Sequence, residues 1–245
     1  MTSGYWLALD TATDIASVAA GRPPTGEAGS HIQGARRHAA EILRLIDVTL
    51  GRLALKPADL DGIVVGDGPG SFTGLRIGWA TAKALAQETG LDVVAVPSLL
   101  AAAAAGALPL GPVPVAACFD ALRGQVYGAE YVIHPDRVDT LVAPAVCTVE
   151  ELAGAAPAVP RLVVGDGAVR YGEAVVRWCG ATPVPLEALP PAASLLLALF
   201  QRIGAGRPIP DLATAEPVYG RPAEAQARWE ARHGRPLPDP SGPAR

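Results

Sequence analysis

The most informative segment of this chain is Gly66-Asp67-Gly68-Pro69-Gly70-Ser71-Phe72-Thr73-Gly74-Leu75-Arg76-Ile77-Gly78. It follows an apolar run at 63–65 that is typical of a buried strand, and it leads into a helical pattern over 79–86. A glycine-rich loop at a helix start can present backbone N–H groups to an anion. The same glycines also suit a tight turn with close helix packing. Residue chemistry alone leaves both interpretations open.

Neither familiar phosphate-binding motif matches this loop. A Walker A loop needs Gly-Lys-Ser/Thr at the helix start, but the only nearby cation here is Arg76. A G-x-G-x-x-G fingerprint that starts at Gly68 would need a glycine where Thr73 stands. Small residues instead recur every four positions, which predicts another helix backbone lying very close to this one. They are Gly74, Gly78, Ala82 and Ala86.

Composition predicts a compact protein of one large or two small domains, since 50% of its 245 residues are hydrophobic and 18% are charged. A net charge of −4 argues against nucleic-acid binding by this chain alone. We expect its three cysteines to be free thiols, because no C-x-x-C pair exists. No secretory signal is evident, and four prolines interrupt the uncharged stretch 93–119, so we expect no membrane span and a cytoplasmic location.

The chain resembles a duplication. An apolar strand over 5–9 ends at Asp10 and is followed by a turn and a second strand; 113–119 repeats this pattern and ends at Asp120. Later in each half an apolar run enters a Gly-Asp-Gly triplet, at 66–68 and at 165–167. These repeats predict an N-terminal lobe over 1–108 and a C-terminal lobe over 109–220, with a helix near 191–205 as a candidate to pack back on the first lobe. The Pro/Arg-rich tail over 221–245 is expected to be partly disordered.

A long helix is predicted over about 31–53. Its apolar stripe consists of Ile32, Ala35, Ala39, Ile42, Ile46, Thr49 and Leu53. Leu43, Leu45 and Leu50 lie off that stripe and indicate burial on a second side. That burial is explained equally well by a partner or by the chain's own fold.

Few residues are arranged for catalysis. His31 and His38 are about 10 Å apart along a helix, and no His/Cys cluster has metal-ligand spacing, so no metal site is predicted. Ser71 lacks the G-x-S-x-G context of a hydrolase nucleophile. Asp10 and Asp120 could face a nucleotide through Mg²⁺, or could simply cap their turns.

Several of these segments together resemble the TsaB family, also called YeaZ, in the right order over about residues 5–220. They are Asp10-Thr11-Ala12-Thr13, His38, the segment 68–78, Val96-Pro97-Ser98-Leu99, Asp120-Ala121-Leu122-Arg123-Gly124-Gln125-Val126-Tyr127 and Ala215-Glu216-Pro217-Val218-Tyr219. The resemblance implies an α/β protein of the actin-like ATPase (ASKHA) fold with two ribonuclease H-like lobes, in agreement with the duplication.

The resemblance also implies a function. Family members are bacterial subunits of the system that places threonylcarbamoyl on adenosine beside the tRNA anticodon. The metal-binding paralogue TsaD makes the transfer, and a small ATPase, TsaE, joins the assembly. This chain would then be a non-catalytic dimerisation subunit that binds TsaD through a helical bundle formed by its first two long helices. It would reach tRNA only through the complex, and a homodimer of the free chain is an open option.

The implied sites are a partner interface and a doubtful nucleotide cleft. The interface would contain Ala35, His38, Ala39, Ile42, Leu43, Ile46, Phe72, Leu75, Gly78, Trp79, Ala82 and Leu85, and Gly78→Leu is expected to disrupt it. The nucleotide-facing residues would be Asp10, Thr11, Gly68, Gly70, Ser71, Asp120, Gly165 and Gly167.

No catalytic or metal-binding residue is expected, because Ser98 and Ala102 occupy the positions of the H-x-x-x-H metal pair of the paralogue. No cofactor should bind tightly, since ATP and Mg²⁺ belong to the complex. The alternative is a nucleotide-dependent, kinase-like enzyme of the same fold that acts on a small molecule.

Overall fold

Two β-sheets organise the chain in the computed structural model, which describes residues 4–221 and 232–234. The first sheet has the strand order β10-β5-β4-β1-β2-β3. β1 pairs antiparallel with β2 and parallel with β4. The strands are β1 (Tyr5–Asp10), β2 (Ile15–Gly21), β3 (Ala28–Gln33), β4 (Leu60–Gly66), β5 (Asp92–Val96) and β10 (Arg207–Pro208).

The second sheet repeats this plan. Its order is β8-β7-β6-β9, where β6 pairs antiparallel with β7 and parallel with β9. A parallel bridge from Val164 to Val184 stands where β5 stands in the first sheet. The strands are β6 (Pro114–Asp120), β7 (Val126–Ile133), β8 (Val138–Cys147) and β9 (Leu162–Val164). The predicted α/β fold of two related lobes is confirmed.

Seven α-helices in the described residues fill three layers around the sheets. They are α1 (His38–Gly51), α2 (Phe72–Thr89), α3 (Ser98–Ala107), α4 (Val149–Ala155), α5 (Asp166–Arg170), α6 (Gly172–Cys179) and α7 (Ala192–Leu199). Helices α1 and α2 cover the outer face of the first sheet, and α4, α5 and α6 cover that of the second. Helices α3 and α7 lie between the two sheets.

The uncharged stretch 93–119 forms the centre of the molecule. It contains α3 and most of β5 and β6, and all ten residues of α3 are buried. Alanine side chains let both sheets approach this helix closely. In the described part of the chain, no helix has the length and apolarity needed to cross a membrane.

The structure departs from the sequence-based expectations at the start of the first long helix. The helix predicted over 31–53 begins only at His38, because His31 belongs to β3 and Gly34 interrupts the chain at φ 106°. The helix near 191–205 was a candidate to pack on the first lobe, and α7 lies there on β1 and β2. Strand β10 also pairs with β5, so residues from the second half of the chain extend the first sheet. The Pro/Arg-rich tail over 221–245 lies largely outside the described residues.

Candidate functional site

The glycine loop uses its backbone donors within the fold. These hydrogen bonds join Asp67 N to Val96 O (2.8 Å), Gly68 N to Ser98 Oγ (3.2 Å), Ser71 N to Ala12 O (2.7 Å) and Gly74 N to Ser71 Oγ (3.2 Å). Gly70 packs so closely on Ala12 that a Cβ at position 70 would overlap the Ala12 carbonyl oxygen. Of the two interpretations of the loop, this geometry favours the turn with close packing, because donors already in use are not free for a phosphate.

Asp10 lies behind this loop in a buried hydrogen-bond network. It is 2% exposed and accepts from the Ser98 hydroxyl at 2.6 Å and from Ala12 N at 3.1 Å. Burial raises the pKa of the Asp10 carboxyl, while these hydrogen bonds act in the opposite direction. The Ser98 hydroxyl also accepts from Gly68 N, so one side chain connects the end of β1 to the glycine loop. The sequence placed Ser98 in a family motif and at a metal-ligand position of the paralogue, but did not predict these hydrogen bonds.

The small-residue row on α2 faces the chain's own first turn. Thr11 Oγ1 donates to Gly74 O at 2.7 Å. A Cβ at Gly74 would overlap Thr11 O, and one at Gly78 would overlap Thr11 Oγ1. At Gly74 and Gly78 the close backbone is therefore that of the turn after β1, and not that of another helix as expected. Gly78→Leu would damage the chain's own fold and cannot test a partner interface.

The second lobe repeats this packing around Asp120. The Asp120 carboxylate accepts from Leu122 N at 2.9 Å and forms an ion pair with Arg170 at 3.2 Å. Gly167 packs on the backbone between Phe119 and Asp120, and Gly165, at φ 118°, packs on the Cys118 carbonyl. Asp120 thus caps its own turn, which is one of the two interpretations that the sequence left open.

The predicted interface residues divide into inward and outward groups. Buried within this chain are His38, Ile42, Ile46, Leu75, Gly78, Trp79 and Ala82. These side chains belong to the chain's own interior, so their assignment to a partner surface is corrected. His38 Nε2, for example, lies 3.1 Å from the Asp14 carbonyl oxygen. Leu45 and Leu50, two of the three leucines off the apolar stripe, are also buried. Their burial is therefore explained by the chain's own fold and does not require a partner.

An exposed surface remains on the same two helices. Leu43 is 61% exposed, while Phe72 and Leu85 are half-buried. We define the two-helix face as the exposed small or apolar side chains Ala39, Ala40, Leu43, Ala80 and Ala84. Ala35, also exposed, precedes α1 in a 3₁₀ turn.

A C-terminal strap, residues 217–221, crosses the glycine loop and reaches the second lobe. Val218 N donates to Asp67 O at 2.8 Å, and the rings of Phe72 and Tyr219 lie 4.6 Å apart. Arg221 Nη1 then donates to Ala121 O at 2.6 Å. The only signal for this segment in the sequence was its resemblance to the family motif at 215–219.

No group of three or more His, Cys, Asp or Glu side chains with metal-binding geometry occurs within residues 4–221 and 232–234. His31 lies on β3 and His38 is the first residue of α1, so the prediction that these two histidines share one helix is wrong.

Comparison with known proteins decides the family. The model of the family "TsaD: tRNA N6-adenosine threonylcarbamoyltransferase" matches residues 32–173. The Escherichia coli tRNA threonylcarbamoyladenosine biosynthesis protein TsaB is 30% identical over 88% of this chain and 94% of its own length. The chain belongs to the TsaB family.

Other relatives agree with TsaB membership. The Bacillus subtilis TsaB protein is 37% identical over 51% of this chain and 54% of its own length. A Pseudomonas aeruginosa crystal structure, described as an uncharacterized protein with similarity to peptidase YEAZ, superposes with a TM-score of 0.70 at 29% identity. It covers 89% of this chain and 100% of that one. The family predicted from the motifs is therefore confirmed, and the fold is shared with that solved structure.

Proposed function

We propose that this chain is a non-catalytic subunit in tRNA threonylcarbamoyladenosine formation, which binds and activates the metal-dependent transferase TsaD through its two-helix face. The observation that carries this proposal is the similarity, along 88% of the chain, to the E. coli protein named for that biosynthesis. In this proposal tRNA is reached only through the complex. TsaE joins the assembly, and ATP and Mg²⁺ act in the complex rather than in this chain.

Two features support a non-catalytic role. Neither the Ser98 hydroxyl nor the Ala102 methyl group can replace an imidazole ligand at the positions implied by the paralogue. Both oxygens of Asp10 accept hydrogen bonds from within the chain, and Asp120 is held by Arg170 and its own turn. Carboxylates engaged in this way are poorly placed to hold a metal ion.

The exposed chemistry of α1 and α2 supports the position of the interface. A largely exposed leucine, one helical turn after the exposed Ala39 and Ala40, offers apolar area, and the small alanine side chains allow a partner helix to approach closely. The buried side chains of α1 and α2 pack on the first sheet and fix the position of both helices, so the sheet supports the two-helix face. The same face could pair two copies of the free chain.

The kinase-like alternative is less well supported by the geometry. A nucleotide-binding loop needs free N–H donors, whereas several donors of the glycine loop are used within the fold and the strap lies across it. Calorimetry with ATP–Mg²⁺ on the isolated chain tests this alternative directly.

The first experiment is a reconstituted modification assay with TsaD, TsaE, a supply of threonylcarbamoyl-adenylate and tRNA, read by mass spectrometry of nucleosides. We expect modification to depend on this chain. Leu43→Glu should weaken TsaD binding at least about tenfold, because it places a charge on an apolar contact. Leu110→Glu is the matched control, since Leu110 is 49% exposed and lies beyond α3. Modification that is indifferent to the chain contradicts the function. Equal behaviour of the two variants contradicts only the interface.

A further inference from the structure

A cavity lies between the first hairpin and the central helix layer, away from both the two-helix face and the strap. Its volume is about 140 Å³. The walls are mainly apolar and come from β2, α3, β6 and the loop before α7. Ile15, Ala102, Ala105, Phe119, Leu189 and Pro191 contribute to them. Concave, mostly apolar cavities with a few polar groups are the usual form of a small-molecule site.

The polar groups of this cavity are predominantly acidic. Asp10 contributes a carboxylate from its buried position, and Thr13 contributes a hydroxyl. The exposed side chains of Glu187 and His31 also line the cavity. Gln33 Nε2 donates to Glu187 Oε1 at 3.2 Å, which helps to orient that carboxylate. The lining includes neither Lys nor Arg.

We propose that this cavity binds a small primary amine with an apolar body about the size of one aromatic ring. The size follows from the volume, because an apolar cavity of about 150 Å³ accepts benzene. The charge follows from the lining, since the exposed Glu187 carboxylate can pair with an ammonium group, and Asp10, although hydrogen-bonded within the chain, adds no positive charge beside it. The Phe119 ring also lines the cavity and is a candidate for a cation–π contact. A nucleoside triphosphate is both too large and of the wrong charge.

The proposal is independent of partner binding and is tested on the full chain alone. Isothermal titration at pH 7.5 compares benzylamine with benzyl alcohol, which has nearly the same shape but no charge, and with ATP–Mg²⁺. We expect benzylamine to bind about tenfold more tightly than benzyl alcohol, as charge-assisted hydrogen bonds allow. ATP–Mg²⁺ should not compete with it.

A pair of variants separates a built site from general attraction to an acidic protein. Glu187→Gln keeps the shape of the cavity and should weaken benzylamine binding at least about threefold while leaving benzyl alcohol unchanged. Glu173→Gln removes the same charge from an exposed position on α6 and should change neither. The proposal is overturned if benzylamine does not bind, if the alcohol binds equally well, if ATP–Mg²⁺ displaces the amine, or if both variants behave alike.

Discussion

Glu130 is a charged residue inside the second lobe. It lies on β7 opposite Ala116, whose side chain belongs to the apolar cluster beneath α4 and α6. Glu130 is fully buried, and neither carboxylate oxygen has a hydrogen-bond partner within the described residues. Burial raises the pKa of Glu130 to about 7. An ionised carboxylate is costly there, so the folded chain holds the proton more tightly than the unfolded chain does.

This residue predicts a pH dependence of stability. Between the unfolded pKa of 4.5 and the folded value of about 7, the native state binds the extra proton. The free energy of unfolding therefore falls as pH rises through this range, by at most about 3 kcal/mol, and levels off above it. Glu130→Gln should remove this contribution, so that the variant matches the wild type near pH 4.5 and is more stable at pH 8. Urea unfolding at pH 4.5, 6, 7 and 8 measures the difference.

An exposed carboxylate provides the control for Glu130. Glu173→Gln on α6 should leave the slope of stability against pH unchanged. Other buried carboxyls with raised pKa, including Asp10 and Asp166, contribute a slope of the same sign in every variant. If Glu130→Gln and wild type run parallel from pH 4.5 to 8, the burial of this charge is not what the structure indicates.

At the scale of elements, the small-residue row of α2 can be tested by adding a single methyl group. Gly74→Ala should lower the free energy of unfolding by about 1–3 kcal/mol, because the new Cβ would overlap the Thr11 carbonyl oxygen, which is backbone and cannot swing away. Gly154→Ala on α4 is the matched control, because no atom lies within 4 Å of its added Cβ. The control should be neutral or stabilising by up to about 1 kcal/mol. Thermal unfolding measures both, and a neutral Gly74→Ala would mean that α2 does not lie so close to the turn.

The same element shows what a single sequence can predict. The strand, the glycine loop and helix α2 could all be predicted from local sequence patterns, because each depends on residues that are close together in the chain. The sequence could not predict which backbone lies opposite Gly74 and Gly78, because a row of small residues allows any segment of the chain to approach closely. The start of α1 failed for a related reason: Ile32 and Ala35 continue the helical spacing by chance, whereas pairing of His31 with Ser17 on β2 places that segment in a sheet. Such long-range pairing leaves no local signal.

At the scale of the whole molecule, the duplication could be predicted because strands that end in Asp and Gly-Asp-Gly triplets recur in the same order. The position of the central helix layer could not. An uncharged, alanine-rich stretch could not show by itself that it would lie between two sheets. The cavity proposed as an amine site was also invisible, because it joins the first turn, α3 and the loop before α7 from distant parts of the chain. Its polar residues follow no motif spacing.

The central helix layer leads us to expect that the two lobes unfold together. One apolar cluster contains Ala8 from β1, Ala103 from α3, Ala117 from β6 and Leu196 from α7, so the two lobes share a core. A shared core should make the described region unfold in one transition, with equal calorimetric and van't Hoff enthalpies. Ala103→Leu would force extra volume between the sheets and should lower the free energy of unfolding by about 1–3 kcal/mol or more, and with it the midpoint of that single transition. Ala84→Leu, on the exposed face of α2, should leave it nearly unchanged. Two separate transitions in the wild type would show that each lobe is stable alone and that α3 acts only as a connection.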